Sequence, residues 1–170
     1  MDTGGPAVRL TVLLAGALTM AGCGRGSESG SGAPAVGAAF ANRAEAVCRD
    51  TVTLKDAQRP FPFPDFNPSQ PDVSKLPIIA PFLEETVHTF STWLQDLQAL
   101  GDPPSGKEAW ADVLKDVQSH VRIATEQQKA AEQSDVQTFV RDFEEGSAVQ
   151  DDMLQAANAA GVPGCAEVDR

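Results

Sequence analysis

The sequence is poor in the residues and motifs that most enzymes use. It contains no tyrosine, two histidines and three cysteines, and it has no GxSxG, HExxH or P-loop motif. Its acidic pairs are adjacent in sequence, so the two members of each pair point in different directions and indicate solvated helix faces. These pairs are Glu84-Glu85, Glu144-Glu145 and Asp151-Asp152. We therefore predict a protein that is not an enzyme, with no catalytic residue, no metal and no cofactor.

Positive charge is also scarce. The 170 residues include 13 Lys and Arg against 24 Asp and Glu, which gives a net charge of −11. An acidic protein is repelled by nucleic acids and by anionic lipid, and no basic stripe interrupts the acidic pattern. The composition predicts that nucleic acid is not a partner.

Long apolar runs are limited to one short segment near the N-terminus. Residues 10–20 are almost entirely apolar, but a membrane-spanning helix needs about 20 residues. The run follows Arg9 and ends in Met20-Ala21-Gly22-Cys23. A plain secretory signal would end in a similar small-residue site, but the order resembles a bacterial lipoprotein signal. That resemblance implies that Cys23 is lipidated and becomes the first residue after cleavage.

The composition after Cys23 predicts the domain organisation. Residues 24–37 are mostly Gly, Ser, Ala and Pro, a flexible tract with an end-to-end distance of about 20 Å. We predict a signal peptide over 1–22, a lipidated cysteine with its tether over 23–37, and a single domain over 38–170. Acyl chains such as palmitate would anchor the protein to the extracytoplasmic side of the cell membrane, which is its predicted location.

Four segments of the domain show helical periodicity, with apolar residues three or four positions apart. The first helix is predicted from Ala38, and its core stripe is Phe40, Ala44, Val47, Thr51 and Leu54. Five prolines between residues 60 and 71 exclude helix there. The second helix is predicted from about Leu76 to Leu100, before the stop signal Gly101-Asp102-Pro103-Pro104.

Two capping-box patterns predict where the remaining helices begin. Ser105 with Glu108 precedes the third helix, which fades near Ala131, and Ser134 with Gln137 precedes the fourth. The fourth ends at Gly161, and Gly146 is a point where it is expected to bend or break. The core stripe predicted for this helix is Val136, Phe139, Val140, Phe143, Leu154 and Ala157. The predicted fold is all-α, an antiparallel up-down four-helix bundle with a long Pro/Phe-rich loop between helices 1 and 2.

The two cysteines of the domain have two interpretations. Outside the cytoplasm, Cys48 and Cys165 most simply form a disulfide. Two free thiols acting as metal ligands are the alternative, but no CxxC motif or neighbouring histidine accompanies them. In an up-down bundle the first helix begins and the fourth ends at the same pole, so the disulfide fits the predicted topology.

The two histidines raise a metal-site hypothesis that helical phase opposes. His88 and His120 fall at similar heights on adjacent helices, with Glu84 one turn from His88. At 100° per residue, however, His88 lies opposite the apolar stripe of its helix and His120 at the edge of its own. The side chains are predicted to diverge, whereas metal ligands must converge.

Four polar residues interrupt the predicted core stripes near the middle of their helices. They are Thr51, Thr86, Ser147 and Gln150. In one interpretation the hydroxyls bond to carbonyls of the preceding helical turn, and Gln150 reaches a neighbour. In the other, these residues line a polar cavity between helices that holds a ligand.

The loop after the first helix carries Phe61, Phe63 and Phe66 between prolines. Three exposed phenylalanines are costly, so the first interpretation is that they fold back to cap the open end of the bundle. The alternative is a docking loop for a partner, because stiff Pro-rich segments bind at low entropic cost.

Several features together resemble the small exported lipoproteins of actinobacteria, many of which have no assigned function. They are the Cys23 signal with its tether, the cysteine early in the first helix, the Leu100-Gly101-Asp102-Pro103-Pro104 turn followed by Trp110, and the Gly161-x-x-x-Cys165 ending. The resemblance implies an envelope location and supplies no site residues. The predicted function is a non-catalytic accessory module that binds an envelope protein. The alternative is a binder of a small or apolar ligand in the bundle interior or under the Phe-rich loop.

Overall fold

A computed structural model describes residues 35–168. Over this range the chain forms four α-helices and two 3-10 helices, and it contains no strand. The α-helices are α1 (Ala38–Asp56), α2 (Leu76–Ala99), α3 (Lys107–Glu132) and α4 (Val136–Ala160), and the 3-10 helices span Val73–Lys75 and Pro163–Glu167. The predicted all-helical class is confirmed.

The helices pack in a definite order. α3 lies between α2 and α4 and contacts both, whereas α1 packs mainly against α2 and the C-terminal 3-10 helix. The Pro-rich loop between α1 and α2 contains no α-helix, as its prolines predict. α4 is continuous from Val136 to Ala160, so the break expected at Gly146 is wrong.

Both capping-box predictions are wrong, each by one residue. The N-cap of α3 is Gly106, with φ +67°, and the Ser105 hydroxyl instead donates to the carbonyl of Ala35. The N-cap of α4 is Asp135, whose carboxylate accepts the backbone N–H of Thr138 at 3.1 Å. In both cases the residue after the predicted serine is the N-cap. Several residues near the start of a helix are able to cap it, and the backbone conformation of the preceding loop decides which one does.

The larger core cluster surrounds a disulfide. Cys48 of α1 and Cys165 of the C-terminal 3-10 helix are bonded, with an S–S distance of 1.96 Å, and both are buried. The indole N–H of Trp93 points at Cys48 Sγ, 3.4 Å away. Phe40 meets Trp110 edge-on, with ring centroids 4.9 Å apart. The predicted cysteine pair is thus present and lies inside the core.

The chain is already packed against the domain at its first described residues. Val36 is buried in the larger core cluster, and its backbone N–H donates to the carbonyl of Ala160 at 3.1 Å. Packing therefore begins within the segment 23–37 predicted as a tether. The described part of that segment belongs to the domain.

A smaller core cluster forms where the Phe-rich loop meets the helices. Phe61, Phe63 and Phe66 pack against its buried residues, which are Leu76, Ile79, Ala80, Ala130, Ala131 and Phe139. Phe66 lies edge-on to Phe139 at 6.0 Å, and the Lys75 ammonium sits 5.1 Å above the Phe63 ring. The three phenylalanines are half-buried, so the loop covers this part of the bundle.

Two predicted core leucines lie outside the core. Leu54 is 58 % exposed. Leu154 is exposed as well, while Met153 beside it is buried. Trp93 of α2 is completely buried. The helical pattern predicted for this helix, which is Ile79, Leu83, Val87, Phe90, Leu94 and Leu97, does not include it.

Candidate functional site

A cleft of about 260 Å³ lies between α2, α3 and α4. Most helix–helix space in the domain is filled by apolar side chains, but this cleft has a mixed lining. Its apolar residues include Phe90, Ile123 and Phe143, and its polar residues are Thr86, His120, Gln127, Asp142, Ser147 and Gln150. Mixed apolar and polar lining is typical of sites for small molecules.

The cleft contains three of the four polar residues that the sequence singled out. Thr86, Ser147 and Gln150 line it. Thr51 does not line the cleft, because it lies on α1. It is buried there, and its hydroxyl donates to the Val47 carbonyl at 3.0 Å. Polar residues from two different helices are thus brought together around one void.

The two hydroxyl groups of the cleft also bond within their own helices. Thr86 Oγ1 donates to the Phe82 carbonyl at 3.3 Å, and Ser147 Oγ donates to the Phe143 carbonyl at 3.1 Å. The intrahelical hydrogen bonds of the first interpretation are therefore present, and a ligand held in the cleft stays a prediction. With the hydroxyl protons engaged, the oxygen lone pairs remain to accept hydrogen bonds.

Asp142 is the residue that sequence reasoning missed. Its side chain lines the cleft and is completely buried. Oδ1 accepts two hydrogen bonds from Arg141, at 3.0 Å from Nε and 2.7 Å from Nη2. Oδ2 is buried without a hydrogen-bond partner among the described residues. A buried carboxylate oxygen without a donor is costly, so this atom distinguishes the cleft from ordinary packing.

A helical pattern could have pointed to Asp142. It lies three residues after Phe139 and four before Gly146, in phase with the buried Met153 and Ala157. An aspartate on that stripe is a charge at a core position. The predicted stripe instead followed the apolar residues Val140 and Phe143, which lie beside it.

Arg141, which bonds to Asp142, lies near two carboxylates of α3 and α4 that do not line the cleft. The hydrogen bond to Asp142 raises the pKa of Arg141, and the nearby charges of Glu126 and Glu145 act in the same direction. Arg122 forms ion pairs with the same two glutamates, at 3.0 Å to Glu126. These three carboxylates and two guanidinium groups leave one net negative charge.

The structure separates the two histidines. His120 is buried in the cleft, with Nδ1 3.1 Å from the Asp116 carbonyl and its ring 6.0 Å from that of Phe90. His88 is exposed in a different groove, between α1 and α2. Within residues 35–168, no group of three or more His, Cys, Asp or Glu side chains is arranged to hold a metal ion.

The groove between α1 and α2 is the second surface feature. It is open, has a volume of about 470 Å³, and is lined by Leu54, Gln58, Glu84, Glu85, His88, Thr89 and Thr92. Leu54 supplies its exposed apolar surface. All its titratable groups other than His88 are acidic.

Residues that would attach the chain to a membrane lie outside the described range. Cys23 and the predicted signal precede residue 35. Among the described helices, none is both long enough and apolar enough to cross a membrane. Comparison of the chain with protein-family models, with curated proteins and with solved structures finds no match.

Proposed function

We propose that this chain is a membrane-anchored extracytoplasmic lipoprotein whose helical domain binds a small ligand in the α2–α3–α4 cleft. The observation that carries the proposal is the buried Asp142 carboxylate, which lines the cleft and whose Oδ2 has no hydrogen-bond partner within the described part of the chain. A buried, unsatisfied carboxylate oxygen costs several kcal/mol, and a bound ligand that donates to it removes that cost.

The cleft supports binding rather than catalysis. Ser147 is its only serine, and the hydroxyl proton is committed to the Phe143 carbonyl at 3.1 Å. An activated nucleophile needs a base within hydrogen-bond reach of that proton. The volume of about 260 Å³ is just below the usual range for ligand pockets, so the cleft suits a small molecule.

The proposed architecture is an up-down antiparallel bundle. Val36, just before α1, bonds to Ala160 at the end of α4, and Ala35 accepts a hydrogen bond from Ser105 near the start of α3. The starts of α1 and α3 therefore lie near the end of α4. Arg122 and Glu145 form an ion pair, and they lie near the middle of α3 and of α4. Together with the short connection between the two helices, this pair supports an antiparallel arrangement.

Anchoring through Cys23 is supported by the sequence pattern and by the disulfide. A buried Cys48–Cys165 bond suits an oxidising compartment outside the cytoplasm. The negative charge of the chain gives no electrostatic attraction to anionic lipid, so lipid attachment would have to hold the protein at the membrane.

The binding proposal is tested by native mass spectrometry of the full chain, purified in detergent from the membranes that contain it. We expect a retained small molecule that is lost in Gly146→Leu. A Cβ at Gly146 meets only Ile123 Cγ2, at 3.6 Å, so the leucine enters the cleft without a backbone clash. Ala148→Leu is the matched control, because it adds the same bulk at an exposed position of α4. Loss of the adduct in both variants, or in neither, would contradict the site.

A non-catalytic protein-interaction module is the second candidate, and the α1–α2 groove favours it. Leu54 is 58 % exposed there, beside Thr92 and His88. Exposed apolar side chains in a groove are typical of docking surfaces. Co-purification of an envelope protein with the wild type but not with Leu54→Ser would support this function. Equal recovery with both would refute the groove as its docking site.

A further inference from the structure

We infer that the ligand of the α2–α3–α4 cleft is a small organic cation, held by its ammonium group at Asp142 Oδ2. The inference rests on the proposed binding function and specifies the chemistry of that site. Oδ2 is a buried carboxylate oxygen that no donor of residues 35–168 reaches, and an N–H donor that carries positive charge is its strongest partner.

The local charge favours a cation over a neutral donor. Arg141 binds only Oδ1, and its side chain is 62 % exposed, so solvent screens much of its charge. Arg122 is shared between Glu126 and Glu145. Among the described residues that line the cleft, Asp142 is the single carboxylate and none is Lys or Arg.

The remaining lining matches an ammonium group. The hydroxyls of Thr86 and Ser147 donate to their own helices, so their oxygens are available as acceptors for further N–H groups. The rings of Phe90 and Phe143 line the same space. Aromatic rings attract cations within about 6 Å of their centroids and also cover the apolar part of an organic amine.

The whole chain favours the same class of ligand. A net charge of −11 raises the local concentration of cations and speeds their association. An anionic ligand would have to approach an acidic surface and then lie against the Asp142 carboxylate.

The test uses the full chain in a non-ionic detergent at neutral pH, with binding measured by isothermal titration calorimetry. Benzylamine is the cationic probe, and benzyl alcohol is its neutral isostere. We expect the wild type to bind benzylamine at least tenfold more tightly than benzyl alcohol. Asp142→Asn should weaken benzylamine binding by about 10- to 100-fold, the range for hydrogen bonds to charged groups. Asp151→Asn, an equal change of charge at an exposed position of α4, should leave it unchanged.

Gly146→Leu separates the failure of this inference from the failure of the site. If Gly146→Leu abolishes binding of both probes but the two bind equally to wild type, the cleft is a site and the cation inference is overturned. If neither probe binds, or Gly146→Leu changes nothing, both the site and the inference are overturned. Circular dichroism of each variant establishes that loss of binding does not reflect unfolding.

The ammonium group has two possible sources at a membrane, a free amine or an ethanolamine lipid headgroup. Monomeric dihexanoyl phosphatidylethanolamine and dihexanoyl phosphatidylglycerol form the second pair of probes. Asp142-dependent binding of the ethanolamine lipid alone assigns the headgroup. Binding of benzylamine without either lipid assigns a free amine. Tighter binding of the glycerol lipid overturns the inference.

Discussion

Removal of the Cys48–Cys165 disulfide should be the most damaging change that leaves the helices themselves intact. The cysteines are 117 residues apart in sequence, so the bond closes a long loop in the unfolded chain. The chain-entropy relation gives about 5 kcal/mol for a loop of this size at 25 °C, and measured losses fall between about 2 and 5 kcal/mol. Small domains have a total free energy of unfolding of about 5–15 kcal/mol. The double variant Cys48→Ala/Cys165→Ala should therefore be close to the limit of folding.

Urea denaturation followed by tryptophan fluorescence measures this loss. Trp93 and Trp110 are both buried, and Trp93 contacts Cys48 directly, so both report on the core. Cys23→Ala is the matched control, and it should leave the unfolding free energy unchanged. A double variant within 1 kcal/mol of wild type, with an unchanged denaturant slope, would refute the reasoning about the loop.

Three further outcomes follow from single positions. Cys23→Ala should abolish incorporation of labelled palmitate in cells, and retained label would contradict the anchor. Gly146→Ala should raise the free energy of unfolding by about 1 kcal/mol in thermal or urea melts, because a glycine in the middle of a helix is destabilising. The added Cβ would lie at an ordinary contact distance of 3.6 Å from Ile123. A loss of stability would show that the cleft does not tolerate a methyl group. Hydrogen bonds from Thr138, first from its side chain and then from its backbone N–H, lower the pKa of Asp135. Because the pKa of Asp135 is lower in the folded state, its carboxylate stabilises the fold at pH values above its unfolded pKa of about 3.9. That stability is lost as the pH falls through the folded pKa. Asp135→Ala should therefore be less stable than wild type at neutral pH and nearly as stable as wild type near pH 2. Asp135→Asn should retain most of the stability that the N-cap hydrogen bond gives. A stability difference for the alanine variant that does not change with pH would contradict the role of the Asp135 carboxylate as the cap.

The helices were predictable because their signals are local. α2 was predicted from Leu76 to Leu100 and spans Leu76–Ala99. Prolines precede this helix, and Gly101, with φ +73°, follows it. These residues restrict the backbone locally, so the ends of the helix do not depend on tertiary contacts. The same holds for Gly161, with φ +76°, at the end of α4.

The candidate site was only partly predictable. Polar residues in core stripes pointed to Thr86, Ser147 and Gln150, and these do line the cleft. Thr51 is also a polar residue in a core stripe, but it lies on α1, away from the cleft. Periodicity predicts which face of a helix is buried, and it does not predict which other helix packs against that face. Asp142 was missed because the predicted stripe contains apolar residues only, although the helical phase of Asp142 is that of the core.

The sequence by itself determined the helical class, the helix ends marked by glycine and proline, and the pairing of the only two cysteines in the domain. These depend on backbone geometry, on periodicity and on the small number of candidates. Only the tertiary structure decided that α3 lies between α2 and α4, that Val36 packs into the core, and that Asp142 is buried beside a void. Each of these depends on distances between residues far apart in the chain, which the packing of whole helices sets and no local pattern encodes.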